Sequence, residues 1–205
     1  MLTVCTLFWQ ANRHSETFSS MYDESWVERL YLGFARNLTV PWRFVCYTDR
    51  EREFGWPIEQ VRLKSAEPSY ADCIQPFELN VPMILVGLDT VVTGNIDHLA
   101  EYCMTGREIA LPIDPYNPRQ VCNGVALVPA GMEHIAKNHR GENDMEWLRK
   151  HPHKVMDGLF PGQIVSYKGH VEQNGLGDAR IVYFHGERKP HQLPRIPWIK
   201  EHWAI

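Results

Sequence analysis

A chain of 205 residues, 44% hydrophobic and 22% charged, is long enough to bury a substantial core, so we expect one domain over residues 1–205. Its formal net charge of -4 argues against nonspecific nucleic-acid binding as the main role. No apolar run approaches the roughly 20 residues that a transmembrane helix needs.

The five cysteines are spread through the chain and include no Cys-x-x-Cys pair. Their number and spacing favour neither a zinc site nor a disulfide framework, so a reducing, cytoplasmic location fits best. The apolar segment from Met1 to Trp9 is short and lacks a basic lead. We therefore expect a first strand there rather than a signal peptide.

The first half of the chain alternates between strand and helix patterns. In order, the predicted elements are a strand at Leu2–Trp9, a helix that begins at Asp23 or Ser25 and ends before Pro41, strands at Trp42–Thr48 and Ile58–Leu63, a helix at Ser69–Leu79, a strand at Met83–Val86 and a helix at Ile96–Cys103. The first helix is indicated by Trp26, Leu30 and Phe34, which share one helical face. The continuous apolar run Met83–Val86 is typical of a strand inside a parallel or mixed sheet.

The second half of the chain is less regular. The predicted elements are strands at Glu108–Ile113 and Val121–Val128, helices at Gly131–Asn138 and Asn143–His151, a loop at Gly169–Asp178 and a last strand at Ile181–Phe184. The proline-rich tail that follows is predicted to be a packed irregular segment. Strands that alternate with helices predict one α/β domain with a mainly parallel central sheet.

A single carboxylate follows the most apolar of these strands. Asp89 comes two residues after Gly87, which itself follows Met83–Val86. Open α/β sheets bind ligands beyond the carboxyl ends of their strands. A carboxylate at such a position is a natural ligand for a hard divalent cation, which in turn can hold a diphosphate. An aspartate that merely caps a turn is equally consistent with this segment taken alone.

The last predicted strand ends in a turn of similar design. Ile181–Phe184 is followed by His185, Gly186 and, three residues later, Lys189 before a proline. Histidine supplies an imidazole ligand, glycine lets the backbone approach a phosphate, and lysine supplies a point positive charge. The alternative for Lys189 is a solvated surface lysine.

Together the two segments resemble the metal and diphosphate site of GT-A glycosyltransferases, in particular the glycogenin-like, family-8-type group and its small bacterial and phage relatives. That group carries Asp-x-Asp at the first strand end and His-x-Gly or His-Gly-x-x-Lys-Pro near its C-terminus. In this chain the resemblance extends from the first strand to Trp198. The order and spacing of the motifs support this resemblance more than any single motif does.

The resemblance implies a single GT-A-like (Rossmann-like) α/β domain with a mainly parallel central sheet and flanking helices. It implies a hexosyltransferase that uses a nucleotide diphosphate sugar and retains the anomeric configuration. It also implies that Asp89 and His185 bind Mn²⁺ or Mg²⁺, and that Gly186 and Lys189 bind the diphosphate.

Further positions carry over from the same resemblance. Residues along and after the first strand, Thr6, Phe8, Gln10 and Arg13, would surround the base and ribose of the nucleotide. Asp49 ends the second strand, where its carboxylate would accept a hydrogen bond from base or ribose. A turn cap is an equally good role for Asp49.

Two positions match the part of the family that contacts the donor sugar. Asn123 lies in an Asn-Gly step, and Asp144 lies in a segment similar to the family's Asp-Gln segment, so both are candidate catalytic residues. Each also has a purely structural alternative. An Asn-Gly step is a common turn signal, and Asp144 could cap a helix.

Two other positions depart from the family's pattern. Gly87 stands where the family has the first Asp of Asp-x-Asp, and Met145 stands where it has Gln. The missing carboxylate is expected to weaken the ion site, so that metal binds together with nucleotide. The main alternative to a transferase is therefore a nucleotide-sugar-binding protein with impaired or no turnover.

A third hypothesis is an α/β interaction module without a ligand site. It predicts that Asp89, His185 and Lys189 are scattered in space, whereas a ligand site requires them to converge on one cleft. The sequence leaves the donor sugar and the oligomeric state open. It also leaves the acceptor open between a glycan, a lipid carrier, a protein and a modified nucleobase.

Overall fold

Within residues 1–15 and 19–205, which the computed structural model describes, ten strands form two sheets. In chain order the strands are β1 (Leu2–Phe8), β2 (Trp42–Thr48), β3 (Ile58–Arg62), β4 (Met83–Val86), β5 (Thr90–Val92), β6 (Ile109–Leu111), β7 (Val125–Val128), β8 (His153–Val155), β9 (Ile164–Ser166) and β10 (Ile181–Tyr183). The central sheet has seven strands in the order β3-β2-β1-β4-β7-β6-β8. The second sheet has three, in the order β5-β10-β9.

The central sheet is mainly parallel. Strand β1 pairs in parallel with β2 and β4, β2 pairs in parallel with β3, and β6 pairs in parallel with β8. Strand β7 is antiparallel to both of its neighbours, β4 and β6. In the small sheet β10 is antiparallel to β5 and parallel to β9. The predicted α/β class with a mainly parallel sheet is confirmed.

Helices flank the sheets. They are α1 (Glu24–Asn37), α2 (Asp97–Thr105), α3 (Glu133–Asn138), α4 (Asp144–Leu148), α5 (Met156–Leu159), α6 (Glu172–Asn174) and α7 (Pro197–His202). Tighter 3₁₀ turns cover Tyr70–Leu79 and Pro190–Gln192, and a wider π turn covers Tyr167–Val171.

Strands β1 and β4 are buried at successive positions because both faces of the sheet are covered. Val4 and Ile84 join the core cluster that includes the buried face of α1. Cys5 and Leu85, the next residues along, join a second cluster with the 3₁₀ helix Tyr70–Leu79. Neighbouring side chains of a strand point to opposite faces, so a continuous apolar run is what a two-sided core requires.

Helix α1 begins and ends where its sequence predicts. The Asp23 carboxylate accepts a hydrogen bond from the backbone N–H of Ser25 at 3.0 Å, which caps the first turn. Trp26, Leu30 and Phe34 are buried against the sheet. The periodic apolar face therefore fixes the position of this helix, and its prediction is confirmed.

Two predicted strands are shorter in the structure. Glu108–Ile113 reduces to β6, and Val121–Val128 reduces to β7. Pro112 interrupts the first of them because proline has no N–H group to donate to a ladder. Beyond it, one isolated antiparallel bridge joins Ile113 to Val121.

Three further segments differ from the sequence prediction in kind. The predicted loop Gly169–Asp178 contains the end of the π turn and α6, and the tail predicted to be irregular contains α7. Helix α7 begins at Pro197, a position where the fixed backbone angle of proline suits the first helical turn. Strand β8 was not predicted, because it is partly exposed and lacks an apolar pattern.

None of the helices in the described part of the chain combines the length and the apolar character needed to cross a bilayer.

Asp97 joins the start of α2 to the segment after α1. Its carboxylate accepts hydrogen bonds from the Asn95 amide at 3.0 Å, the Thr39 hydroxyl at 2.5 Å and the Thr39 backbone N–H at 2.8 Å. These bonds lower the pKa of Asp97 from 3.8 to about 2, and the bond from Asn95 makes the largest contribution. Because the folded state has the lower pKa, this stabilisation is present above about pH 4 and is lost as the pH falls toward 2.

We predict that Asp97→Asn lowers the free energy of unfolding at neutral pH by about 1 kcal/mol, since it weakens these bonds. The difference between variant and wild type should shrink as the pH falls toward 2. Urea denaturation at neutral pH, at about pH 4 and at about pH 2.5 measures it. A difference that does not depend on pH would contradict this account of Asp97.

Candidate active site

A cavity of about 490 Å³ lies at the carboxyl ends of β1 and β4. The residues that follow β1, β4 and β10 form much of its wall, together with the turn before β7. Ligands of open α/β sheets bind at this edge, because the polar turns after neighbouring parallel strands meet there. Aromatic side chains, Phe8, Trp9, Tyr22, Tyr70 and Phe184, give the cavity a largely apolar wall.

Asp89 and Lys189 meet inside this cavity as a buried ion pair. The Lys189 ammonium donates to Asp89 Oδ2, and only 3% of Lys189 and 8% of Asp89 are exposed. The Tyr22 hydroxyl donates to the same carboxylate oxygen at 3.2 Å. Lys189 is thus a buried, paired lysine and not the solvated surface residue of the alternative interpretation.

His185 lies beside this pair on the same cavity wall. Its Nε2 atom shares a hydrogen bond of 2.5 Å with the Ser166 hydroxyl, and the Tyr116 ring lies edge-on with centroids 4.8 Å apart. Its Nδ1 atom is buried without a hydrogen-bond partner among the described residues. Burial, followed by the nearby Lys168 charge, lowers the pKa of His185 below its ordinary value.

The turn after His185 depends on glycine. Gly186 has a φ of 68°, a left-handed conformation that glycine adopts without strain. A Cβ atom at this position would lie 3.2 Å from the Lys168 ammonium nitrogen. The side of Gly186 where a side chain would stand is therefore occupied by the ammonium group of a second lysine.

The convergence expected of Asp89, His185 and Lys189 is observed, because all three line one cavity. The scattering that an interaction module without a ligand site predicts does not occur. Their roles toward a ligand stay predictions.

Asn123 and Asp144 form a second polar pair on the cavity wall. The Asn123 amide donates to Asp144 Oδ2 at 2.5 Å. Burial raises the pKa of Asp144, and hydrogen bonds from the Met145 N–H and from Asn123 oppose that shift. Asn143, and not Asp144, caps α4, because its side-chain oxygen accepts from the N–H groups of the first turn. The helix-cap alternative for Asp144 is therefore wrong.

The residues predicted to surround the nucleotide are only partly brought to the cavity. Phe8 lines it and lies under the Arg52 guanidinium, whose carbon is 3.7 Å from the ring centroid. Thr6 is fully buried and donates to the Val86 carbonyl at 2.9 Å. Its hydrogen bond joins β1 to β4, and Thr6 does not line the cavity. The sequence did not predict this, because both faces of β1 are buried and the alternation of side chains does not show which face meets a ligand.

Three other predicted nucleotide contacts lie outside the cavity wall as described. Asp49 accepts from the backbone N–H of Gln10 at 3.1 Å and pairs with Arg52 at 2.6 Å. Arg13 is exposed and pairs with Glu67 at 2.6 Å. Asp49 thus ties the loop after β1 to the end of β2, a structural role other than the turn cap that the sequence offered as the alternative.

Two polar residues near the Asp89–Lys189 pair were missed from the sequence: Tyr22, which lines the cavity, and Lys168, which lies against Gly186 outside the cavity wall. Tyr22 precedes α1 and reaches Asp89 from a loop, and Lys168 follows β9. Lys168 could have been found only from the pairing of β9 with β10, which is parallel and places Ser166 beside Tyr183. No local pattern in the sequence predicts that β9 pairs with β10.

The residues present do not fit a divalent-ion site formed by the protein itself. Gly87 offers no carboxylate, the charge of Asp89 is paired with Lys189, and the Nε2 atom of His185 is bonded to Ser166. Across residues 1–15 and 19–205, no group of three or more His, Cys, Asp or Glu side chains is arranged to hold an ion. Hard cations such as Mg²⁺ require a nearly complete set of oxygen ligands. The assignment of Asp89 and His185 as metal ligands stays a prediction.

Comparison with known proteins places this architecture among solved glycosyltransferase structures. No family model and no curated protein matches the chain. The glycosyltransferase GlyE of Streptococcus pneumoniae TIGR4 matches with a TM-score of 0.64 at 13% identity, over 99% of this chain and 60% of GlyE. The galactosyltransferase LgtC, solved with donor and acceptor sugar analogs, matches with a TM-score of 0.53 at 9% identity, over 99% of this chain and 97% of LgtC.

A third match is the bifunctional glycosyltransferase WbbM, with a TM-score of 0.60 at 9% identity, over 98% of this chain and 50% of WbbM. The chain therefore spans about 60% of the length of GlyE and half that of WbbM. At these identities the likeness shows the fold. The predicted GT-A-type fold is confirmed, and membership of the family-8-type group stays a prediction.

Gly124 is required by the packing of the cavity wall. A Cβ atom there would lie 2.7 Å from the Tyr183 ring, too close for any carbon contact. We predict that Gly124→Ala lowers the free energy of unfolding by about 1–3 kcal/mol, because the ring or the strand must shift. Chemical denaturation measures this difference.

Gly158→Ala is the matched control. Gly158 lies in α5, and no atom lies within 4 Å of a Cβ built there. The substitution should be neutral or stabilise by up to about 1 kcal/mol, because alanine favours helix over glycine. Equal tolerance of both substitutions would refute the close approach at Gly124.

Proposed function

We propose that the protein is a glycosyltransferase that moves a hexose from a nucleoside diphosphate sugar to an acceptor. The observation that carries the proposal is the cavity at the strand ends, where a buried Asp89–Lys189 pair and a partly buried Asn123–Asp144 pair lie in a fold shared with glycosyltransferases. A cavity of this size suits a ligand as large as a nucleotide sugar. The retaining outcome and the class of acceptor remain proposals from the resemblance.

In this proposal the diphosphate lies against Lys189 and the backbone of Gly186. As the bond between the anomeric carbon and the diphosphate oxygen breaks, negative charge builds on the leaving diphosphate. A fixed ammonium in a cavity poor in water stabilises that charge without having to reorganise. The apolar wall at Phe8 and Trp9 excludes water and offers aromatic faces to the base.

The sugar is proposed to contact the Asn123–Asp144 pair. Asp144 accepts hydrogen bonds from sugar hydroxyl groups, and the Asn123 amide fixes the orientation of the carboxylate. The same carboxylate offers negative charge to the positive charge that develops at the anomeric carbon. Met145, which stands where the family has Gln, supplies no polar group for this step.

The second candidate function is a nucleotide-sugar-binding protein with impaired or no turnover. Gly87 and Met145 favour it, because each replaces a polar residue of the family pattern by a residue without a polar side chain. Turnover separates the two candidates, since both of them bind the donor. The predicted Mn²⁺ or Mg²⁺ enters the same test as a variable.

We predict that one class of nucleotide sugar raises the melting temperature of the protein. The panel consists of uridine, guanosine, adenosine and cytidine diphosphate sugars, each with EDTA and with Mn²⁺. At a ligand concentration of about 100 times Kd the stabilisation is about 2.7 kcal/mol, or roughly 5–10 °C for a chain of this size. A panel without any shift would refute the proposed function.

We predict that Asp144→Asn keeps donor binding and lowers turnover at least about a hundredfold, because the charge is lost while the shape is kept. Release of free nucleoside diphosphate measures turnover. Glu146→Gln is the control, since Glu146 is exposed on the same helix. Binding without measurable release in the wild type would favour the binding protein, and equal release from Asp144→Asn would remove Asp144 from the reaction.

A further inference from the structure

We infer that two lysine side chains, Lys189 and Lys168, bind the donor diphosphate in place of a divalent cation, and that Asp89 holds Lys189 instead of a metal ion. This inference rests on the proposed function, because the diphosphate belongs to the nucleotide sugar. It concerns the same cavity and names what neutralises the leaving group there.

The first observation is that the carboxylate expected to hold an ion is already used. Asp89 Oδ2 accepts from both the Lys189 ammonium and the Tyr22 hydroxyl. A buried ammonium requires such a partner, because burial of an unpaired charge is costly. The backbone N–H of Lys189 also donates to Gln192 Oε1 at 3.0 Å. The lysine is therefore fixed at both its backbone and its charged end.

The second observation is the position of Lys168. Its ammonium lies against Gly186, on the side where a side chain would stand, and Gly186 itself lines the cavity on the turn that also carries His185. Lys168 is partly buried, and none of the ion pairs formed within the described residues includes it. An ammonium without an acidic partner, placed against a left-handed glycine turn of the cavity wall, offers a diphosphate a positive charge next to the backbone of that turn.

The third observation is the balance of charge. Asp89 and Lys189 together are neutral, so Lys168 leaves the cluster with a net positive charge that can attract a diphosphate. A carboxylate at position 87 would cancel that charge, and an added divalent cation would then be needed. The absence of a carboxylate at Gly87 and the presence of Lys168 are thus two parts of one arrangement.

The geometry at Gly87 suggests one substitution that should restore the need for a divalent cation. A Cβ atom there would lie 3.0 Å from Asp89 Oδ1, the carboxylate oxygen that Lys189 does not contact. Gly87→Asp should therefore place a second carboxylate beside the first, after a small shift of the Asp89 carboxylate that admits the new Cβ atom. Two adjacent carboxylates form an oxygen-rich site of the kind that Mn²⁺ and Mg²⁺ bind.

The test is isothermal titration of uridine, guanosine, adenosine and cytidine diphosphates, each with EDTA and with Mn²⁺. We expect one nucleotide to bind in EDTA, with a Kd that Mn²⁺ changes by less than about threefold. Lys168→Met should weaken that binding about tenfold or more, because it removes a charged hydrogen-bond donor. Lys137→Met is the control, since Lys137 pairs with Glu133 on a helix outside the cavity wall. Gly87→Asp should acquire a Kd that Mn²⁺ lowers about tenfold or more.

Asp89 is tested through its coupling to Lys189. Asp89→Asn and Lys189→Met should each weaken binding in EDTA, and the double variant should be little worse than either, because both remove the same fixed ammonium. Additive losses would indicate that Asp89 has a merely structural role. If either single variant fails to fold, the outcomes of Lys168→Met and Gly87→Asp decide the inference.

The outcomes separate this inference from the proposed function. Nucleotide binding by the wild type that requires Mn²⁺ would overturn the inference and leave the glycosyltransferase proposal intact. Unchanged binding by Lys168→Met would do the same. Failure of every nucleotide and every nucleotide sugar to bind, with or without Mn²⁺, would overturn both.

Discussion

The buried ion pair between Asp89 and Lys189 joins the two parts of the chain on which the candidate site depends. Asp89 belongs to the turn between β4 and β5, and Lys189 belongs to the turn after β10. Removing one partner of a buried pair typically costs about 3–5 kcal/mol, because the other charge stays uncompensated. The pair therefore holds the turn with His185 and Gly186 against the edge of the central sheet.

The small sheet explains why Asp89, Lys168 and His185, which come from three distant segments, lie close together. Strand β10 runs antiparallel to β5 and parallel to β9. The residue before β5 and the residues after β9 and β10 therefore meet at one edge. Asp89 occupies the first of these positions, Lys168 the second and His185 the third. A charged cluster built in this way depends on strand pairing and not on any contiguous motif.

The part of the structure that could be predicted is the part that local patterns specify. The sequence correctly predicted the strand Met83–Val86 and the capped start of α1, because burial imposes a regular spacing of apolar residues. Polar turns after such strands identified Asp89 and Lys189. The ion pair between Asp89 and Lys189 and the contact of Lys168 with Gly186 could not be predicted, because strand partners are set by tertiary packing. Thr6 was misplaced because a strand buried on both faces does not show in its sequence which face meets a ligand.

The surroundings of the two polar pairs differ in a way that suits the proposed transfer of a sugar. Lys168 gives the region of His185 and Gly186 a positive charge that the neutral Asp89–Lys189 pair does not cancel, whereas Asp144 is bonded to the uncharged amide of Asn123. During departure of a diphosphate from a sugar, negative charge grows on the leaving group and positive charge on the anomeric carbon. In the proposed reaction, separate cationic and anionic groups would stabilise both charges at once, since each charge would meet a fixed group of opposite sign.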